Sequence, residues 1–253
     1  MLWRACLLVL ALTARGAIAQ EACRHALVIA VDISGSVNAD EYQLQLDGLS
    51  DALLSREVGA ILLETPETPV ALAIFEWSSE DHQRLIQDWI FIRTQADIDA
   101  VAHRLTQHQK DRVTLKTAIG GAIEFAGVLL SEQPQCWRKT IDISGDGENN
   151  DGPRPDTVRN RPAFRDVIIN ALVISEGGFA DPPIVQQDST IVGVDTRKPR
   201  DLLMEYYLTH VIHGPEAFAE VARGYQDYAE AMRRKLLREL SPFALVGYLD
   251  ADR

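Results

Sequence analysis

Three uninterrupted apolar runs, Ala26 to Val31, Val70 to Phe75 and Val167 to Ile174, place the tightest constraint on this 253-residue chain. A strand with one wet face alternates polar with apolar residues, so runs without alternation belong to strands covered on both faces. Lys139-Thr140-Ile141-Asp142-Ile143-Ser144 alternates more but is rich in β-branched residues and reads as a fourth strand. Leu85 to Ile92, with Trp89 and Phe91, reads as a fifth, nearer an edge. Helical patterns fall between these runs. Asn38 is placed to cap a helix with Glu41 three residues on, and Tyr42, Leu46, Leu49 and Leu53 then follow a helical repeat. Ala96 to Leu105 and Ala118 to Leu130 are two more helices. Strands alternating with helices predict the α/β class: a doubly wound, mainly parallel central sheet flanked by helices on both faces.

The rhythm breaks at Gly177 to Arg200, where three prolines and many polar residues surround the short apolar patch Ile191-Val192-Gly193-Val194. This stretch reads as an inserted loop rather than a domain boundary. Tyr206 to Ile212 reads as the last strand. Gly214-Pro215 then opens a C-terminal helix over 215–240, since proline suits a first helical turn. Its apolar stripe is Phe218, Val221, Ala222, Tyr225, Ala229, Met232 and Leu236, a face expected to pack on the sheet. Glu220, Arg223, Asp227, Glu230, Arg233, Arg234 and Lys235 lie off that stripe and read as solvated.

Residues 1–19 read as a secretory signal: Arg4, a short apolar core from Ala5 to Leu12, then the small-x-small pattern Ala17-Ile18-Ala19. The core is too short to span a bilayer, and retention as an N-terminal anchor is the alternative. Cleavage after Ala19 leaves one domain over 20–253, exported to the periplasm or beyond the cell, with no membrane insertion afterwards. Loss of Arg4 and Arg15 takes the net charge from −12 to about −14, which disfavours nucleic acid as a partner. Cys6 also leaves, so Cys23 and Cys136 remain, and two cysteines in an exported protein invite a disulfide.

The first apolar run ends in Asp32-Ile33-Ser34-Gly35-Ser36. On an extended chain alternate residues share a face, so one carboxylate and two hydroxyls can aim at one point. Oxygen donors without sulfur or imidazole suit Mg²⁺, Mn²⁺ or Ca²⁺. Ser-Gly-Ser reads equally as ordinary loop chemistry with Asp32 as a capping acid. A second strand runs into Gly145-Asp146-Gly147-Glu148-Asn149-Asn150-Asp151-Gly152, which does not fit a helix–loop–helix calcium loop because its sixth position from Asp146 is Asp151. Asp32 and Asp146 both follow the carboxyl ends of strands, where open α/β sheets bind ligands. Between them Thr117 stands at the start of a predicted helix, able to cap it or to ligate a metal.

In this order the three pieces resemble the von Willebrand factor A (VWA) family and its metal-ion-dependent adhesion site. They are D-x-S-x-S on Asp32, Ser34 and Ser36, the threonine of T-x-x-G-x-A-I on Thr117, and the aspartate of Gly-Asp-Gly on Asp146. The resemblance covers about Ala26 to Ile174 and runs on more weakly to Leu240; the chain is also similar to an exported bacterial branch of that superfamily of unknown function. It implies a Rossmann-like fold whose metal ligands are Asp32, Ser34, Ser36, Thr117 and Asp146, with Mg²⁺ the first choice and Mn²⁺ or Ca²⁺ as alternatives. The family's approach to the threonine is often glycine-rich. Here Arg112-Val113-Thr114-Leu115-Lys116 precedes it, which offers Thr114 as a substitute ligand and brings a cation, Lys116, beside the site.

The resemblance implies a binding module and not an enzyme: a divalent cation held largely by neutral oxygens accepts an exposed Asp or Glu of a protein partner. The alternatives are a metal-assisted hydrolase acting on an anionic substrate, or a structural domain whose metal site stays empty. For hydrolysis the sequence supplies no G-x-S-x-G, H-E-x-x-H or Walker motif, and its six histidines are scattered. The fold also places the first and fourth strands side by side and parallel. Cys23 lies nine residues before Asp32 and Cys136 ten before Asp146, so the two cysteines are expected to sit level at the opposite end. Mass mapping of the non-reduced protein should therefore recover a peptide pair joined through Cys23 and Cys136; two free thiols would count against both the bridge and the strand pairing.

Overall fold

The computed structural model describes residues 22–110, 116–175 and 199–241. The predicted signal segment, Thr114 and residues 177–198 of the predicted insertion lie outside the described residues, as does the chain beyond Ser241. Six strands form one sheet in the order β3-β2-β1-β4-β5-β6. They are β1 Cys23–Asp32, β2 Val70–Trp77, β3 Gln83–Ile92, β4 Cys136–Gly145, β5 Ile168–Ile174 and β6 Ala219–Ala222. All neighbours pair in parallel except β3, which runs antiparallel along the edge of β2. The helices are α1 Ala39–Leu54, α2 Arg56–Leu62, α3 Gln95–Gln107, α4 Ile119–Ser131, α5 Pro155–Arg159, α6 Pro199–Tyr206 and α7 Tyr228–Leu240.

The unbroken apolar character of β1 is explained by two cores. Leu27, Ile29 and Val31 pack with Leu46 and Leu49 of α1 and with Met232 and Leu236 of α7. Ala26, Val28 and Ala30 face the other way, onto Ile119, Ala122, Ile123 and Ala126 of α4. Their small size lets α4 lie close to the sheet. Each face thus removes its own apolar surface from water, the dominant favourable term in folding. Cys23 is the register partner of Cys136, and the two are joined by a disulfide at the end of the sheet where β1 and β4 begin.

Three expectations need correction. Tyr206 to Ile212 is not a strand: α6 ends at Tyr206 and a π-helical turn, Tyr207–Val211, follows it. Its aromatic and β-branched composition suits a strand, but Tyr207 and Val211 both pack into the α4-side core, and that packing decides the conformation. Arg159 supports the turn by donating to the carbonyl oxygens of Thr209 and Ile212. The last strand is instead β6, whose residues Ala219 to Ala222 pair with Ala171 to Ile174.

The C-terminal helix also starts later than residue 215. A turn with Gly214 at φ 93° and Glu216 at φ 61° leads into β6, and Gly224 at φ 83° leads into a 3₁₀ turn, Tyr225–Asp227, before α7 begins at Tyr228. These left-handed residues interrupt what reads in sequence as one continuous stripe.

Lys235, finally, is not solvated. It is wholly buried, its Nζ 2.6 Å from Asp142 Oδ2 on β4 and 3.3 Å from Glu239 Oε2 one turn on. Asn170 Nδ2 of β5 donates to the other oxygen of Glu239 at 2.6 Å, and Arg138 Nη1 to the Glu239 carbonyl at 2.9 Å. Two carboxylates share one buried ammonium. Burial, aided by the charge of Glu239 and opposed by Lys235, pushes the Asp142 carboxyl up to about 7. The unfolded carboxyl releases its proton near 3.8, so between those values the folded state holds an extra proton and stability falls as pH rises. Asp142→Asn should flatten that slope in urea unfolding. Lys235→Met, which leaves two buried carboxylates without their cation, should cost about 3–5 kcal/mol above that window.

Candidate metal centre

Asp32 closes β1 with no exposure to solvent, and its neighbour Ile33 extends the pairing by donating to the Trp77 carbonyl at 2.9 Å. The chain then turns. Val37 N donates to Ser34 O at 3.0 Å, so the two serines converge through a tight turn and not through continued extension. Ser34 N donates to Asp32 Oδ1 at 2.7 Å, and the Ser34 and Ser36 hydroxyls lie 3.3 Å apart. The turn is fixed on its far side by the Asn38–Glu41 capping box, while Gln45 of α1 donates to the Asp32 carbonyl at 2.9 Å.

Asp146 follows β4 on the strand beside β1. Its Oδ1 accepts from Ser36 Oγ at 2.6 Å and its Oδ2 from Tyr225 Oη at 2.9 Å. Four of the five expected site residues, Asp32, Ser34, Ser36 and Asp146, are therefore linked directly by hydrogen bonds.

Thr117 is buried and tied to the loop after Asp146. Its N–H donates to Asn150 Oδ1 at 2.8 Å, and its carbonyl accepts from the N–H groups of Asn150 and Asp151 at 2.8 and 3.2 Å. Its Oγ1 lies 3.9 Å from the point where a Cβ on Gly147 would stand. The hydroxyl does not cap α4. That work is done by Asn149, whose Oδ1 accepts from Gly120 N at 3.1 Å, leaving Thr117 Oγ1 without a hydrogen bond among the described residues. Gly120 must be a glycine here, because a Cβ would lie 1.9 Å from Pro153 O. Lys116 turns to Asp151, 2.8 Å away and largely solvent-exposed, which neutralises its charge locally. Further along the same connection, Lys110 Nζ donates to Val37 O, and His108 lies 3.1 Å from the buried Glu76 carboxylate.

Several residues that shape this place carry no motif signal. Tyr225 falls within the apparent helical stripe, and Tyr207 within the apparent strand. Tyr207 is wholly buried; its Oη donates to Gly147 O at 3.1 Å, while the preceding Tyr206 Oη accepts from Asn149 N at 3.3 Å. Adjacent side chains thus reach one loop. Space for Tyr207 comes from Gly145, where a Cβ would stand 2.5 Å from its Oη and 3.1 Å from Asp32 Oδ2.

The electrostatics call for a cation. Burial first, and then the charge of Asp146, push the Asp32 carboxyl up to about 7, against the stabilising hydrogen bonds from Ser34. Asp32 Oδ2 is buried without a hydrogen-bond partner among the described residues. A buried unpaired carboxylate oxygen facing a second carboxylate is costly, and a hard divalent ion removes both penalties. The donor set fits that ion: carboxylates and hydroxyls only. Among the described residues no group of three or more His, Cys, Asp or Glu is placed to hold a metal, so a nitrogen- or sulfur-rich centre is not offered.

A family model described as "Protein of unknown function (DUF1194)" matches residues 22–244. No curated protein matches the chain. Solved structures do. Proximal thread matrix protein 1 from the mussel byssus aligns with a TM-score of 0.57 at 14% identity, over 87% of this chain and 48% of that one. This chain thus spans about half the length of the mussel protein. A second structure of that protein, titled as having a zinc-occupied MIDAS motif, gives 0.52 at 13% identity over 87% and 46%. The pilus adhesin SpaC from Lactobacillus rhamnosus GG gives 0.54 at 12% over 87% and 31%, and a von Willebrand factor type A structure from Catenulispora acidiphila 0.52 at 14% over 86% and 43%. At these identities the likeness establishes the fold, which is the VWA fold. No helix among the described residues is long and apolar enough to cross a membrane.

The close approach at Gly145 is directly testable. Gly145→Ala should cost about 1–3 kcal/mol in urea unfolding, as overpacking does. Gly147→Ala, whose Cβ would meet nothing nearer than 3.9 Å, should stay close to the parent protein.

Proposed function

Because the chain belongs to the DUF1194 family, whose function is unknown, its role has to come from the site, and we propose that it is an exported, divalent-cation-dependent protein-binding module. The observation that carries this reading is Asp32 Oδ2, a buried carboxylate oxygen with no hydrogen-bond partner among the described residues, set beside a second carboxylate and two serine hydroxyls. Asp32, Ser34, Ser36, Thr117 and Asp146 are the residues that would hold the ion, with Mg²⁺ the first choice. When bound, the ion supplies a positive field and an exchangeable coordination position that a partner's Asp or Glu can fill.

The protein's own groups prepare that arrangement. The turn closed by Val37 aims both serine hydroxyls at one point, and Ser36 gives its proton to Asp146, which leaves its lone pairs free. Asn149 performs the capping of α4, and among the described residues Thr117 Oγ1 makes no hydrogen bond. The known structures of this fold support a binding role over a catalytic one: one neighbour is a byssus matrix protein with a zinc-occupied site in one of its structures, another a pilus adhesin. The Cys23–Cys136 bridge is in keeping with an oxidising compartment, and export accords with the predicted signal segment.

Calorimetric titration of Mg²⁺ into chelator-stripped protein tests the reading. Saturable binding to one site is expected. Ser34→Ala should weaken it by about 100-fold or more, and Asp146→Ala, which removes the second carboxylate, by about 10–100-fold, with the protein still folded in the metal-free state. No heat of binding for Mg²⁺, Mn²⁺ or Ca²⁺ would leave a structural domain as the remaining description.

A further inference from the structure

Around the cation position, three of the four carboxylate oxygens already have donors. Asp32 Oδ1 accepts from Ser34 N, Asp146 Oδ1 from Ser36 Oγ and Asp146 Oδ2 from Tyr225 Oη; among the described residues Asp32 Oδ2 has no donor. Tyr225 reaches Asp146 from a different part of the fold, the 3₁₀ turn between β6 and α7, 79 residues further along the chain. Tyr225 is 4% exposed, so little of it is open to water as a substitute partner. Tyr207, on the other side, is fixed by its bond to Gly147 O and supplies no donor to Asp146. Among the described residues Tyr225 is therefore the phenol that holds the second aspartate.

We propose that Tyr225 is a positioning residue that keeps Asp146 out of direct contact with the cation, so that the ion retains the charge and the open position a carboxylate ligand needs. The inference rests on the metal-binding reading above. For Asp146 to move onto the ion through Oδ2 it must give up the Tyr225 hydrogen bond and strand a buried phenol, which opposes the movement. An Asp146 that stays back would still balance charge through Ser36, whose hydroxyl donates to its Oδ1. Removing the phenol oxygen releases Oδ2 to become a direct anionic ligand. The ion would then be held more tightly and attract a partner's carboxylate less, since affinity follows the charge count of the ligand shell.

Mn²⁺ and water are the probes, and no partner protein is needed. Mn²⁺ affinity and the water-proton relaxivity of each bound ion are measured in the parent protein, Tyr225→Phe, Asp146→Ala and Tyr228→Phe. Tyr228 is a matched control: a buried phenol three residues on, whose hydroxyl donates to Ser144 and not to Asp146. Tyr225→Phe should bind Mn²⁺ about tenfold more tightly, with lower relaxivity because a carboxylate displaces a bound water. Tyr228→Phe should match the parent on both counts. Asp146→Ala should bind more weakly at unchanged relaxivity, which keeps the test decisive even if Tyr225→Phe fails to fold. The proposal is overturned if Tyr225→Phe leaves affinity unchanged or weakens it 10–100-fold, the effect of losing a merely orienting bond. A rise in relaxivity in Asp146→Ala overturns it too, since that shows a water entering a place the aspartate had held. If the parent protein binds no Mn²⁺, the metal-binding reading fails first and this inference falls with it.

Discussion

Asp32 and Asp146 stand at the ends of neighbouring parallel strands, and the burial of Asp32 beside a second carboxylate is the constraint around which this end of the molecule is built. Neither can retreat. Asp32 lies at the end of a strand buried on both faces, and Asp146 is gripped on both oxygens. The surrounding residues answer with neutral donors: a backbone amide, a serine and a phenol. Such donors disperse negative charge without cancelling it. What remains is a net demand for positive charge at one point, and among the described residues no lysine or arginine forms an ion pair with either aspartate. Lys116 is paired with Asp151, and Lys110 is engaged with a main-chain carbonyl.

How much of this could be read from the sequence depended on how local its cause was. Unbroken apolar runs disclosed β1, β2 and β5, because burial on both faces leaves no other pattern, and the Asn38–Glu41 pair disclosed the start of α1. Asp32, Ser34, Ser36 and Asp146 were legible because strand ends and short spacings carry them. The failures have distant causes. Lys235 looks solvated until Asp142, on a strand 93 residues earlier, is placed beside it. Thr117 looks like a cap until Asn149 is seen taking that task. The π-helical turn at Tyr207–Val211 is too short to show a period of its own, and its aromatic residues imitate a strand. Tyr225 passes for core because a buried phenol and a buried phenyl occupy the same kind of position in a helical stripe.

The two buried polar clusters do different kinds of work. At Lys235 one buried ammonium lies between two carboxylates, so α7 is anchored to β4 and β5 by an ion-pair cluster with a cation at its centre. At Asp32 the charges are left unmatched. Burying unmatched polar groups costs stability, and proteins that tolerate such a cost generally concentrate it where function resides. The contrast lies between a cluster that holds its own cation and one that, among the described residues, does not, on strands that are immediate neighbours.

The disulfide between Cys23 and Cys136 has a mechanical meaning beyond its effect on unfolding. It joins β1 and β4 at their first residues, while the two aspartates stand at the other end of the same pair. A strand pair bolted at its base resists shear along its whole length, because sliding one strand past the other would tear the covalent link as well as the hydrogen-bond ladder. The spacing between the two carboxylates is therefore not a coordinate that the sheet can vary. Any local adjustment at that end must be made by the turns and side chains above a rigid floor, which confines it to the few residues around the two aspartates.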